Sequence, residues 1–475
     1  MFEVRLAARA PEDLSVAVPE ARLRRLLDDV APRMREGLQG HSVVNINSTA
    51  TGGGVAEMLQ VLLPFSRGAG VDTRWLVVDA DADFFALTKR LHHRMHGSAG
   101  DGGPLGSAER EHYEQVLREN SEQLAATVAP GDVVIIHDPQ PAGLAAAVKS
   151  WGIPVVWRCH VGVEEQNEHT KGAWDFMRPY LEPYVDAYVF TRAEYAPDWI
   201  PTDRLFVIKP SIDPLAPKNQ PMDAQTVVGA LGHVGIIDAR PDDPVMFARS
   251  DGSPGRIRHF ADVIRTGPAP TADHPLVVQV SRWDPLKDML GVMHGFVEHV
   301  LDGTEAHLVL AGPVVSAVAD DPEAAEVLEQ VFGAWRQLPH TARSRVQLVC
   351  LPLTDVEENA AIVNALQRHA SVVVQKSLAE GFGLTVTEAM YKSAPIVASA
   401  VGGIVDQITD GVSGRLVADP TDLAEFGAAV SGLLADPAAA RELGRAAHDR
   451  AVADFLPDTS LELWQEVLMT AMGRG

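Results

Sequence analysis

Short apolar, β-branched runs alternate with amphipathic stretches along this chain, and that rhythm occurs twice. In the first half the runs are "VVNIN" (43–47), "RWLVVDA" (74–80), "DVVIIHD" (132–138), "PVVWRCH" (154–160), "AYVFT" (187–191) and "RLFVIKP" (204–210). Strands buried on both faces read as continuous apolar runs, so these are parallel strands. Helical segments lie between them, as in "GVAEMLQVLLPFSRGAG" after the first run and residues 107–128. Strand-helix-strand repetition demands a parallel sheet covered by helices. A second series follows: "LVVQVS" (276–281), "AHLVLAG" (306–312), "RVQLVCLP" (345–352), "SVVVQKS" (371–377) and "PIVAS" (395–399), with final helices over 420–472.

Between the two series, residues 211–275 are rich in Pro, Asp and Gly. The expected organisation is a Rossmann-like domain over 1–213, joined by a C-terminal helix at 457–475. A linker with a helical insertion occupies 214–273, and a second Rossmann-like domain spans 274–456. The length of 475 residues is too great for one ordinary core. Ligands of such sheets bind beyond the carboxyl ends of the strands, in a cleft expected between the halves, so the loops after the strands carry the interest. The Gly-rich run "GSAGDGGPLGS" (97–107) follows no strand directly and reads as a mobile loop without an apolar anchor.

Composition narrows the function classes. Hydrophobic residues make up 46% and charged residues 22%, which is a globular balance. The formal net charge of -24 argues against nucleic acid as a partner, although a local cluster of cations can still hold a phosphate. No signal peptide and no membrane-length apolar run is visible, so a cytoplasmic location is expected. The two cysteines, Cys159 and Cys350, sit in apolar stretches and read as buried thiols, not as a disulfide or zinc pair.

Five segments carry candidate chemistry. "NINSTATGGGVAEML" (45–59) places three glycines between a strand and a helix, where backbone can approach an anion; a plain turn is the bland alternative. It is neither GxGxxG nor Walker A, which disfavours a dinucleotide oxidoreductase. "VSRWDPLKD" (280–288) puts Arg282 and Lys287 five residues apart after a strand, so both could reach a diphosphate. "SLAEGFGLTVTEAM" (377–390) carries Glu380, the Gly381–Phe382–Gly383 turn, and Glu388. Its carboxylates are either acceptors for vicinal hydroxyls, an acid/base pair, or ordinary helix-entry acids. "IIHDPQPAG" (135–143) and "WRCHVGVEEQ" (157–166) bring His137, Asp138 and His160 to consecutive strand ends.

The E-x7-E spacing from Glu380 to Glu388 resembles that of retaining GT-B glycosyltransferases of family 4. Arg282 and Lys287 resemble that family's phosphate clamp. "NINSTATGGGVAEML", "HDPQPA", "WRCH" and "PSIDPLAPKN" are similar, more narrowly, to trehalose glycosyltransferring synthases. The "PSID" stretch departs from the wider family's Asn-Gly-Val-Asp in a way that fits this subfamily.

The resemblance implies a GT-B fold, two Rossmann-like domains facing each other across a cleft. It implies a retaining hexosyltransferase making α,α-trehalose from a nucleoside-diphosphate glucose and glucose. Arg282 and Lys287 would neutralise the leaving diphosphate. Gly53, Gly54, Gly381, Phe382, Gly383 and Leu384 would lie along the donor, with Leu351 near the base. Glu388 would take the ribose hydroxyls and Glu380 the donor glucose. Asn47, Asp138, His160 and Asp213 would serve the acceptor side. Arg282, Lys287, Glu380, Asp138 and His160 form the expected catalytic set. No cofactor is implied, and Mg2+ would at most stimulate, with no dedicated site. The expected partners are a sugar nucleotide, a small sugar and a second copy of the chain. Two alternatives keep the fold: a retaining trehalose phosphorylase using glucose 1-phosphate, and transfer to another small sugar. A nucleotide-sugar-binding protein without catalysis is disfavoured by the complete clamp.

Overall fold

The computed structural model describes residues 1–51, 54–241, 243–315 and 322–474. It divides into two compact units, Met1–Ile212 with Phe455–Gly475, and Asp213–Asp454.

The first unit is built on a seven-stranded sheet. Its strands are β1 (Phe2–Glu3), β2 (Val43–Asn47), β3 (Thr73–Val77), β4 (Val133–His137), β5 (Val155–Cys159), β6 (Ala187–Phe190) and β7 (Leu205–Val207). Their spatial order is β1-β3-β2-β4-β5-β6-β7, with β1 antiparallel at the edge and the rest parallel. The apolar runs become strands because both faces are covered: every residue of β2, β4 and β5 is buried. One face packs Val44, Ile46, Val134, Ile136 and Trp157 against aromatic residues of the helices Ser107–Ala125 and Glu168–Leu181. The opposite face carries Asn45 and Ile135, beside Trp464 and Leu468 of the C-terminal helix Pro457–Ala471.

The second unit repeats the plan. Its strands are β8 (Met246–Ala248), β9 (Pro254–Arg256), β10 (Asp262–Ile264), β11 (Leu276–Val280), β12 (His307–Pro313), β13 (Val346–Leu351), β14 (Val372–Gln375), β15 (Ile396–Ser399) and β16 (Arg415–Val417). β8 and β9 form a separate hairpin, and the main sheet runs β10-β13-β12-β11-β14-β15-β16. Only β10 is antiparallel to its neighbour there.

Both sheets have a topological switch. Chain order reverses between the neighbours β2 and β4 in the first and between β11 and β14 in the second. At such points successive loops diverge and leave a crevice beyond the strand ends.

Two expectations need correction. The segment 214–273 belongs wholly to the second unit. Its helix Ala224–His233 packs on the helix Val356–His369, and its three-residue strand β10 completes the sheet edge. "DVI" between Pro- and Gly-rich flanks is too short for periodicity to register. The run 97–107 is tethered, not an unanchored loop. Arg90 pairs with Asp101 at 2.5 Å and donates to the Pro104 carbonyl, Arg94 donates to that of Gly103, and Leu105 packs on the core. The arginine anchors lie on the preceding helix Ala82–Met95, and Leu105 supplies an apolar anchor within the run itself.

Candidate active site

In the second unit the switch point gathers polar groups from the loops after β11 and β14. Gln279 is fully buried in β11 and ties the two loops together. Its Nε2 donates to the Lys287 carbonyl at 2.6 Å, and its Oε1 accepts from the Lys376 N–H at 3.1 Å. The Leu378 N–H donates to the Leu286 carbonyl at 2.8 Å, and Lys376 forms an ion pair with Asp288. On this stitched backbone Lys287 Nζ donates to Glu380 Oε2 at 2.6 Å, and Ser377 Oγ donates to the same oxygen at 3.1 Å. The sequence-predicted Lys287 and Glu380 are therefore one unit of structure, 93 residues apart in the chain.

Arg282 is held differently. Its guanidinium pairs with Asp284 at 2.9 Å and is 66% exposed. A side chain so exposed, on a short-range partner, can turn toward an anion at small energetic cost.

Gly381, Phe382 and Gly383 form the turn that feeds the helix Leu384–Tyr391. Gly383 has φ 88°, the left-handed region, so a side chain there would be strained. No side chain caps the helix start; the Val386 N–H turns back to the Gly383 carbonyl at 2.9 Å, which leaves the N–H groups of Leu384 and Thr385 for an anion. Gly403 N–H donates to the Gly381 carbonyl at 3.1 Å and Gln407 Nε2 to that of Phe382, fixing the turn from behind.

Glu388 lies inside that helix and is buried, at 5% exposure. This removes the reading of a solvated helix acid. Oε1 pairs with Lys218 at 3.1 Å, while Oε2 is shielded from solvent with no hydrogen-bond partner among the described residues. A buried carboxylate oxygen left unmatched is costly unless a ligand supplies the donor. Beneath it Lys392 is fully buried and donates to Asn219 Oδ1, Gln367 Oε1 and the Glu388 carbonyl at 2.9 to 3.0 Å. Burial pushes the Lys392 amine down to about 7, against the opposing pull of Glu388. Leu351 is the last residue of β13 and is buried. Asp213 opens this unit, its Oδ1 accepting from the Leu215 N–H at 2.8 Å.

In the first unit the switch point brings together Asn45, His137, Asp138 and His160. Asp138 adopts φ 63° directly after β4. A non-glycine residue held there by its surroundings is a common mark of a functional turn. Its carboxylate accepts from the His160 N–H at 2.7 Å, and its carbonyl accepts from Trp157 Nε1 at 3.0 Å. Burial raises the Asp138 carboxyl to about 7, opposed by the His160 N–H and by Arg158. Arg158 is buried, and burial lowers its guanidinium to about 10. His137 is lowered to about 3 and His160 well below its usual range, in both cases by burial first and Arg158 second. Both imidazoles are thus neutral.

Asn47 is engaged at both ends of its amide: Oδ1 accepts from Trp75 Nε1 at 2.8 Å and Nδ2 donates to the Thr49 carbonyl at 2.7 Å. Gly54 starts the helix Gly54–Gly68 and is exposed, with no atom within 4 Å of a built side chain. Gly53 lies outside the described residues. Both cysteines are buried and unpaired. Among the described residues no three His, Cys, Asp or Glu side chains converge in a way that could hold a metal ion.

Sequence reasoning missed Gln279, Lys376, Lys218 and Lys392. A signal existed for the first two, since Gln279 and Lys376 are polar residues inside or just after otherwise apolar strand runs.

Comparison with known proteins decides the family. Residues 45–197 match the trehalose synthase N-terminal domain, and 355–450 match the glycosyl transferases group 1 domain. A trehalose synthase of Rubrobacter xylanophilus is 35% identical over 441 residues, covering 90% of this chain and 89% of that protein. The chain belongs to the trehalose synthase family. A trehalose synthase of Pyrococcus horikoshii is 32% identical, with 92% of each chain covered. A trehalose phosphorylase of Pleurotus pulmonarius is 25% identical, and the match spans 49% of its length. Among solved structures, the trehalose-6-phosphate synthase OtsA superposes with a TM-score of 0.64 at 12% identity, covering 91% of this chain and 99% of that one. Anabaena HepE in complex with UDP and glucose superposes at 0.60 and 15% identity, covering 90% and 99%. The fold is GT-B, and this member of the trehalose synthase family is a hexosyltransferase of trehalose-related glycosyl transfer.

Proposed function

We propose that the protein forms α,α-trehalose from a nucleoside-diphosphate glucose and free glucose, with retention at the anomeric carbon. The observation that carries this reading is the donor half-site of the second unit. Lys287 and Glu380 are joined at 2.6 Å over a glycine turn, and one turn further a buried carboxylate, Glu388, keeps an oxygen unmatched. An isolated phosphate would need only the cations. A ligand with a diphosphate and a vicinal diol would use all of them. Support also comes from relatives named trehalose synthase over nine-tenths of the chain.

In this reading Glu388 accepts from the ribose hydroxyls and Glu380 from the donor glucose. Lys287, Arg282 and the uncapped helix start balance the charge that develops on the departing diphosphate. Fixed charges aimed where charge develops are the largest ordinary source of rate enhancement. No resident metal is needed for that role. The acceptor hydroxyl attacks from the face the diphosphate leaves, and a phosphate oxygen takes its proton. Asp138 and His160 hold sugar hydroxyls on the first unit. The protein would act in the cytoplasm, as a homodimer.

The test is a panel of UDP-, ADP- and GDP-glucose with hexose acceptors, the product linkage being read by NMR. A non-reducing disaccharide and free nucleoside diphosphate are expected. Absence of nucleotide release with every donor and acceptor would refute the reading. The phosphorylase relatives favour a second one; turnover of trehalose with inorganic phosphate to glucose 1-phosphate would establish it instead.

A further inference from the structure

Three side chains at the first unit's switch point form a continuous relay. Asn45, in the middle of β2, is 2% exposed, and His137, ending β4, is 1% exposed. Asn45 Oδ1 lies 3.1 Å from His137 Nε2, and His137 Nδ1 lies 3.1 Å from His160 Nε2. The two imidazoles are nearly coplanar, at 11° with centroids 5.4 Å apart, so they meet edge to edge through that bond. A second bond, from the His160 N–H to Asp138 Oδ1, fixes the backbone that carries the last ring. Asparagine inside "VVNIN" interrupts an otherwise apolar buried strand, and burying an amide there is unfavourable unless it is used.

A neutral imidazole has one N–H and one bare nitrogen. If the Asn45 carbonyl faces His137, the His137 proton must sit on Nε2, leaving Nδ1 bare. His160 must then donate from Nε2, and its own Nδ1 is left as an acceptor. Turning the Asn45 amide over would invert every step and make His160 Nδ1 a donor. The structure has Oδ1 facing His137, which is the first arrangement, with Asn45 Nδ2 buried and without a hydrogen-bond partner among the described residues. The order of the relay therefore dictates which sugar-hydroxyl geometry His160 can serve.

We propose that Asn45 and His137 are positioning residues that keep the proton of His160 on Nε2 and present Nδ1 as a hydrogen-bond acceptor to a sugar hydroxyl. The sugar contact rests on the proposed function; the relay does not. Long-range 1H–15N spectra of the histidines in the intact protein, without substrate, separate the two. In the wild type, the His160 signals should show protonated Nε2 and bare Nδ1. In Asn45→Leu and in His137→Phe, either of which ends the relay, His160 should become a mixture of tautomers. With sugar substrates, the same variants should raise the acceptor KM about tenfold while nucleotide affinity is unchanged. A wild-type His160 protonated on Nδ1, or a tautomer unaltered in both variants, would overturn the relay. If one variant does not fold, the other and the wild-type spectrum still decide. A confirmed tautomer with no effect on the acceptor KM would leave the relay standing and refute the sugar contact.

Discussion

Glu388→Gln should weaken nucleotide binding while leaving the fold about as stable as before. The two effects separate because Glu388 pairs with Lys218 and, among the described residues, leaves Oε2 unmatched. Lys218 is 29% exposed, so the lost pair is worth at most about 1 kcal/mol. Against this, the glutamine amide still buries an unmatched polar atom, so only the difference between burying a charged and a neutral group is relieved, about 1 kcal/mol. The two terms nearly cancel, and the expected net change in stability lies within about 1 kcal/mol of zero. Binding moves the other way. A hydrogen bond to a carboxylate contributes about 1.5–3 kcal/mol and a neutral one about 0.5–1.5. Over two ribose hydroxyls the loss is about 2–3 kcal/mol, or roughly 30- to 160-fold in the Kd of the nucleoside diphosphate.

Titration calorimetry with the preferred nucleotide and its 2′-deoxy analogue gives a cycle. If Glu388 accepts from that hydroxyl, the substitution and the deoxy change should be non-additive. Full additivity, or unchanged affinity together with a lower Tm, would show that Glu388 serves packing and not a ligand.

Lys287→Ala should lower kcat by at least about 100-fold with an unaltered circular-dichroism spectrum, because charge contacts to a leaving group are worth about 3 kcal/mol or more; a near-normal rate would displace the clamp from this pair. Gln279→Leu removes two of the bonds that join the loops after β11 and β14. It should cost about 1–3 kcal/mol in denaturant unfolding and lower turnover as well. Asp138→Asn tests the first unit through pH. A carboxyl raised to about 7 stabilises the fold fully below its unfolded pKa near 4, and that share is lost as pH rises to 7. The two buried histidines, His137 lowered to about 3 and His160 well below the usual range, act in the opposite sense, their share being lost as pH falls below about 6.5. With two groups against one, the wild type should gain stability from pH 4 to 6.5 with the net slope of one group. Asp138→Asn, with only the histidine share left, should gain about twice as steeply over that range; parallel profiles would mean that Asp138 is ionised throughout.

How far the sequence reaches depends on where each interaction is recorded. Strand runs were legible because burial on both faces leaves no room for polar residues, so local composition reports tertiary environment directly. All six runs of the first series and all five of the second became strands of the two sheets. β1 and β10 were not visible, since two or three residues paired at an edge carry no period of their own. The site divides the same way. Lys287 and Glu380 were flagged separately by spacing, but their 2.6 Å contact exists only because β11 and β14 are neighbours, which is a fact of sheet order. Lys218 and Lys392 escaped notice because lysine is so often a surface residue that its sequence position carries little information. Their roles come from what surrounds them, three acceptors for one amine and a buried carboxylate for the other. Asn45 is the instructive middle case. It is a polar residue in the middle of a buried strand, yet what it does is written in His137 and His160, 92 and 115 positions away on the neighbouring strand and the one beyond. A polar residue that violates an apolar pattern is thus a pointer to a site, and the partners that give it meaning are supplied by the order of the strands.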